Sequence, residues 1–358
     1  MNDADPVEAA TRIPARRVIV PEIAANGALR PLPGRDKLVQ VGGETMGTTW
    51  SAKLYAPSTT DGHRARQAIQ DALDHVVSEM SPWVATSALS RFNEAPAGSW
   101  HTLPLNFFAV LRTALSIARE SKGAFDPTLG ALTDAWGFGP SPARSHPPDA
   151  RDTARMLAHA GWQRLDLDEE RRRVRQPGGL AIDLGGIAKG FGVDQAARAL
   201  KRLGIRDFLV EVGGELRGEG IKPDGTPWWV ALEQPPATSG GEATLSDIVI
   251  ALHGLSVATS GDYRRFVEHD GIRHAHSIDP RTGRPVGNGV AIVTVLHESC
   301  MWADALATAL LVMGRAAAIA FAVEHRIAAR MLMRTEQGMS EVLTPRFADL
   351  LRDEGEAA

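Results

Sequence analysis

The sequence predicts an α+β fold, a single domain in one or two lobes, with mixed or antiparallel sheets against which helices pack. Three observations lead there. Apolar residues recur at helical spacing in separate blocks; the stretch from about 228 to 296 carries several strand patterns with no helix among them; and no regular strand–helix alternation runs through the chain. With 358 residues, 44% hydrophobic and 23% charged, the chain can bury a sizeable core.

Residues 1–40 mix Pro, Ala, Arg and Glu without periodicity and read as an extended, poorly ordered arm before the folded body. Thr48 to Tyr55 alternates as a first strand, and Arg64 to Met80 places Ala68, Ile69, Ala72, Leu73, Val76, Val77 and Met80 at helical spacing. A second helix is expected from Leu105 to Ser121, ending near Gly123, then a surface loop from Pro140 to Pro148 and a helix from Ala150 to Gly161. Short strands at Leu165 to Leu167 and Arg173 to Arg175 precede Gly179 to Leu184, where Leu180, Ile182 and Leu184 alternate as a strand. That strand opens at Gly185 and Gly186 onto a helix from Ala188 to Leu203, closed by Gly204, and Phe208 to Val212 begins the next strand. Further strands are expected at Trp228 to Glu233, Asp247 to Leu252, Ser256 to Thr259 and Val290 to Leu296. Helices over Met301 to Met313 and Arg315 to Glu324, then a strand from Ala328 to Arg334, complete the body, and 346–358 reads as a tail. VGGE occurs at Val41 to Glu44 and at Val212 to Glu215, but no fixed period accompanies it, so it marks no repeat.

A net charge of −4 supplies no basic field for nucleic acid and no polybasic anchor for a membrane. The single cysteine, Cys300, excludes an intrachain disulfide and a cysteine-built zinc site. No apolar stretch of roughly 7–15 residues follows Arg16 and Arg17, no lipobox cysteine is present, and no apolar run reaches about 18 residues. A soluble, cytoplasmic chain without a membrane anchor is expected, with a periplasmic location as the alternative if the start codon is misassigned.

Candidate chemistry begins at Asp304, the only charge in the apolar run Cys300 to Met313, with Thr308 one helical turn on. A carboxylate so placed costs several kcal/mol, in rough terms, unless a cation or donors meet it. Asp304 and Thr308 are hard oxygen ligands of the kind Mg²⁺ uses; a salt-bridged or capped Asp in a packed helix is the competing reading. In Ile182 to Gly190 a strand opens onto a helix through glycines, where free N–H groups can face an anion. It is neither a dinucleotide fingerprint nor a P-loop, and a plain tight turn fits equally well. Lys189 near the helix start favours an anion close by. From Gly271 to Ile278, alternation puts His274, His276 and Ile278 on one face, before the turn residues Asp279 to Gly283. A general base, an HxH metal pair and packed or solvated histidines all remain open there. Trp83 and Phe125 sit in turn-rich settings where a ring could cover a planar ligand or simply pack. No G-x-S-x-G elbow is present, and Cys300 opens an apolar segment, so covalent hydrolase chemistry is not expected.

Eight ordered segments resemble the ApbE-type FAD:protein FMN transferases: TMGTTWSAKLY, SPWVATSALSRFN, GAFDPTLGALTDAWGFGP, IDLGGIAKGFGVD, LVEVGGELRGEG, VATSGDYRRF, HSIDPRTGRP and ADALATALLVMG. The resemblance implies an ApbE-like catalytic domain over 41–345. It also implies a Mg²⁺-dependent transfer of FMN from FAD, the substrate, to a Thr or Ser hydroxyl of an acceptor flavoprotein, with AMP released. By residue, Asp304 and Thr308 match the family's metal pair, and Gly186 the position giving a backbone oxygen to the same ion. Met46, Trp83, Ala124, Phe125, Asp126, Asp183, Lys189 and Ile278 match flavin-dinucleotide contacts, and His276 matches the proposed base. Many members have Tyr where this chain has Trp83, which keeps stacking but loses a phenolic hydrogen bond. Alternatives are a FAD pyrophosphatase giving FMN and AMP, a non-catalytic flavin-binding protein, and a transition-metal protein using His274 and His276.

Overall fold

The computed structural model describes residues 17–19, 37–56, 59–142, 146–234, 245, 247–263, 265–269, 271–336 and 338–353. Eight strands form one antiparallel sheet in the order Gly338–Leu343, Ala328–Thr335, Val290–His297, Leu255–Gly261, Glu215–Glu219, Phe208–Val212, Thr48–Ala56 and Lys37–Thr45. Side-chain alternation splits its residues between two cores. Val257 packs on one face and Ala258 on the other; Leu296 and Val295 divide in the same way. On Thr48–Ala56, Trp50, Ala52 and Leu54 are buried towards the helices, while Ser51 and Lys53 face solvent.

Helices cover the first face. Thr59–Met80 buries Ala65, Ile69, Leu73, Val76 and Met80, a stripe at spacings of three and four residues. It packs against Ala188–Arg202, which in turn packs against Cys300–Met313. Cys300–Met313 is buried nearly all round, as a mostly apolar helix between sheet and helices should be. On the other face lies a mixed four-stranded sheet in the order Leu351–Asp353, Arg17–Ile19, Ile248–Leu252 and Trp228–Ala231, with Arg17–Ile19 parallel to Ile248–Ile250. Ile19, Trp228, Ile250 and Phe347 close that second core. The chain is therefore α+β with antiparallel and mixed sheets.

Several expectations need correction. Arg17–Ile19, inside the expected arm, and Leu351–Asp353, inside the expected tail, are strands paired with each other. Residues 1–16 and 20–36 of the arm, and 143–145 of the expected loop, lie outside the described residues. Lys37–Thr45, Glu215–Glu219 and Gly338–Leu343 are strands that alternation did not reveal. Conversely, Gly179 to Leu184 alternates but is not a ladder strand, and only an isolated bridge joins Ala181 to Leu129. Side chains stand in for the missing neighbour. Asn93 accepts from the Ile182 N–H at 2.7 Å and donates to its carbonyl at 2.9 Å, and buried Gln176 donates to the Leu180 carbonyl at 3.1 Å.

Candidate active site

Two helices meet at Asp304. A Cβ on Gly190 would lie 2.2 Å from the Cys300 carbonyl oxygen and 2.8 Å from Asp304 Cβ, so only glycine allows this approach. The contact brings the Gly190 N–H to Asp304 Oδ2 at 2.9 Å. One turn further along, buried Asp194 accepts from Ser299 Oγ at 2.7 Å, Cys300 N at 3.1 Å and Met301 N at 3.2 Å, and from Arg217 Nη1 at 3.3 Å. Asp194 thus caps the neighbouring helix, whose own Ser299 makes no side-chain cap. Burial pushes the Asp304 carboxyl above its ordinary range, against the opposing pull of Lys189 and the Gly190 N–H. The Cys300 thiol, fully buried, is pushed well up and is no nucleophile.

Thr308 continues the face of Asp304. Its Oγ1 lies 3.1 Å from Ser260 Oγ, and a Cβ on Gly186 would lie 2.9 Å from that hydroxyl and 3.3 Å from the Phe125 ring. Gly186, Thr308 and Phe125 are therefore in close contact. The glycine turn is held by Asp183, whose Oδ1 accepts from Gly185 N at 2.8 Å and whose N–H donates to the Pro127 carbonyl at 2.8 Å. This ties the turn to the segment carrying Ala124, Phe125 and Asp126. The Asp126 carboxylate organises that segment, accepting from Thr128 N at 2.9 Å, Thr128 Oγ1 at 2.6 Å and Trp162 N at 3.2 Å. Burial raises its pKa and those hydrogen bonds oppose the rise.

The strand expected from Gly271 to Ile278 is interrupted. Ile272–Ala275 pairs with Phe266–His269 in a hairpin, and Ile278–Asp279 begins a separate two-stranded piece. His276 sits at the break. Its Nδ1 lies 3.2 Å from the Arg265 carbonyl oxygen, which can only accept, so Nδ1 carries the proton and Nε2 keeps its lone pair. Burial lowers its pKa, the positive charges of Lys189 and Arg265 act in the same direction, and the Arg265 hydrogen bond and Asp183 oppose them. His274 packs on the Trp136 ring at 5.2 Å and lies 5.8 Å from His269, while buried Ile278 packs with Trp136 and Phe138. The turn closes as expected, with Thr282 N donating to the Asp279 carbonyl at 3.1 Å.

Lys189 joins the parts, since its charge acts on both Asp304 and His276. The anion expected beside it is supplied by the chain: Glu215 Oε1 lies 2.5 Å from Lys189 Nζ. Met46 occupies the hairpin between Lys37–Thr45 and Thr48–Ala56 at φ +48, with Gly47 at φ +71, and its side chain approaches Gly192. Trp83 stands apart: among the described residues its indole stacks on no ring, and it is 59% exposed. Asp194 and Glu215 were not singled out from sequence, whereas Ser260 lies in Val257 to Arg264, a small, polar segment after a strand of the kind that often lines a site. Asp194 carried the same signal as Asp304, a lone carboxylate among Phe191, Val193, Ala196 and Ala197. Among the described residues, no cluster of three or more His, Cys, Asp or Glu could hold a metal, and no helix is long and apolar enough to cross a membrane.

The model of the ApbE family matches residues 46–331. A protein from Vibrio cholerae named FAD:protein FMN transferase is 37% identical over 87% of this chain and 92% of its own length. One of the same name from Escherichia coli K12 is 31% identical over 91% and 93%. Among solved structures, the flavinyl transferase ApbE of Pseudomonas stutzeri in its apo form superposes with a TM-score of 0.79 at 35% identity, covering 88% of this chain and 97% of that one. The flavin transferase ApbE of Vibrio cholerae gives the same TM-score and identity, covering 88% and 99%. Sequence and fold agree over most of the chain, and the chain belongs to the ApbE family.

Proposed function

We propose that this chain is an enzyme that transfers FMN from FAD to a protein, as the relatives' name states, and that the receiving group is a Thr or Ser hydroxyl of an acceptor flavoprotein. The observation that carries the reading is the convergence, around Lys189, of a buried carboxylate and a neutral histidine with a free Nε2. The acceptor oxygen attacks the FMN-side phosphorus, the pyrophosphate P–O bond breaks, AMP leaves, and the hydroxyl proton passes to His276 Nε2.

The oxygen set fits Mg²⁺. Asp304 Oδ2 accepts from Gly190, Oδ1 has no hydrogen-bond donor among the described residues, and the carboxyl's raised pKa reflects a burial that a cation would relieve. Thr308 Oγ1 and the Gly186 carbonyl are the further ligands we assign. Bound there, Mg²⁺ would neutralise pyrophosphate charge and complete its shell with water and phosphate oxygens. Lys189, the Gly185 turn and Asp183 position the pyrophosphate. Met46, Ala124, Phe125, Asp126 and Ile278 shape the flavin-dinucleotide site, where the exposed Trp83 indole offers a stacking face.

Incubation with FAD, Mg²⁺ and a candidate acceptor, followed by mass analysis, tests this. The expected result is one FMN, less water, added to a Thr or Ser of the acceptor, with an equal amount of AMP and none formed in EDTA. Free FMN with an unmodified acceptor would instead make the protein a pyrophosphatase.

A further inference from the structure

The hairpin Phe266–His269 and Ile272–Ala275 belongs to neither large sheet. Its ladder phase is fixed by the His276 N–H donating to the Arg265 carbonyl at 3.3 Å. Counting from that bond, Val267 with His274 and His269 with Ile272 exchange hydrogen bonds across the hairpin. The intervening residues, Arg273 and Ala275 on the second strand, therefore point their N–H and C=O groups outward. Among the described residues nothing pairs with those groups. Ala275 is only 7% exposed, so its unpaired backbone groups lie in a setting where such groups normally have a partner.

One face of the hairpin is anchored. His274 packs on Trp136, His276 on Phe138, and Val267 approaches Gly137. On the opposite face Arg273 stacks 3.6 Å over the Phe266 ring, while Ile272, at the tip and on the same face as His274, is 61% exposed. The second strand runs directly into His276. A segment paired beside it would lie about 4.8 Å away, one strand spacing, whereas a segment on the opposite edge would be two spacings from the histidine.

The geometry points to the outer edge of Ile272–Ala275 as the acceptor-docking site, where an extended segment carrying the target hydroxyl adds as a further strand and delivers that hydroxyl to His276. This rests on the transferase reading above. Backbone pairing to Arg273 and Ala275 supplies affinity and register, so alternate residues of the acceptor segment face the enzyme. The Phe266–Arg273 stack and Ile272 supply an apolar, cationic rim.

Two measurements test it, using the full chain and a synthetic peptide that spans the hydroxyl labelled by the wild-type enzyme. Arg273→Pro removes an outward N–H that the hairpin itself does not use, and edge positions tolerate proline; Arg273→Ala keeps that N–H. The proline variant should raise the peptide's KM about tenfold over the alanine variant, with FAD affinity the same in both. Equal KM values would overturn the proposal. If Arg273→Pro loses FAD binding, N-methylation of each peptide amide in turn decides with wild-type enzyme. Strand addition expects loss of labelling at alternate amides; a profile without that alternation would overturn it. A wild-type enzyme that binds FAD and releases AMP only to water refutes the transferase reading itself, a different result from either of these.

Discussion

Asp304 and His276 are both poised by burial, in opposite ways. For Asp304 the folded state holds the proton more tightly than the unfolded chain does. Its contribution to stability is therefore fullest below the ordinary carboxylate pKa of about 3.9 and is lost as pH rises through the raised value. Asp304→Asn should abolish that loss while its side-chain carbonyl still accepts from Gly190. The melting temperature of the metal-free variant at neutral pH should equal or exceed wild type, and Mg²⁺-dependent AMP release should fall on the order of a hundredfold or more. A variant that melts lower and still turns over with Mg²⁺ would make Asp304 a structural residue. For His276 the pKa moves down, so the base form persists below the ordinary imidazole value. The acid limb of log kcat/KM against pH should inflect below about 6.5, and an inflection above that value would assign the limb to another group. Asp304 was legible as a lone charge in an apolar run. The partner of Lys189 was not, because Glu215 sits on a hairpin beyond the intervening helix and only the folded chain brings it to 2.5 Å.

Helices and strands with one solvent face were readable, and those with unusual partners were not. Phe208–Val212 and Arg173–Arg175 form as their alternation indicates, and Arg315–Glu324 as its helical pattern does. Glu215–Glu219 hides because Arg217 and Glu219 pair with each other and with Asp194 and Lys201 inside the structure, which blurs the apolar alternation. Gly179 to Leu184 misleads in the other direction, since amide side chains replace its ladder. At this scale the helix pair decides the site. Gly190→Ala would set a methyl 2.2 Å from the Cys300 carbonyl oxygen, part of a backbone that cannot swing aside. The helices must then separate, at a cost of about 3 kcal/mol, the upper end for overpacking. A urea midpoint should register that loss, and Mg²⁺ should be needed at higher concentration as Asp304 and Thr308, which share one helix, move together away from Gly186. An unchanged midpoint would mean that the helices yield without strain.

The molecule is built as a large sheet between two unlike layers, with the candidate residues Asp304 and Lys189 on helices of one layer and Arg17–Ile19 and Leu351–Asp353 in the other. Neither Arg17–Ile19 nor Leu351–Asp353 alternates apolar with polar residues, so neither could be expected from sequence. Their burial arises only when both meet Ile248–Leu252. Leu350 and Leu351 pack on the core containing Ile19, Trp228 and Ile250, on the sheet face opposite the helices that carry Asp304 and Gly190. Removing residues 350–358 should therefore weaken the whole fold while leaving the site's geometry alone. Two partly buried leucines and one strand ladder correspond to about 2–3 kcal/mol, readable as a lower denaturant midpoint. Below the transition the shortened protein should bind FAD with wild-type affinity, because among the described residues lost, Leu350 and Leu351 pack on the core across the sheet from Asp304. A shortened chain with an unchanged midpoint would show that the second sheet contributes no stability. One that stays folded but loses FAD would show that the two faces of the large sheet are coupled, which the division of Val257 from Ala258 and of Leu296 from Val295 argues against.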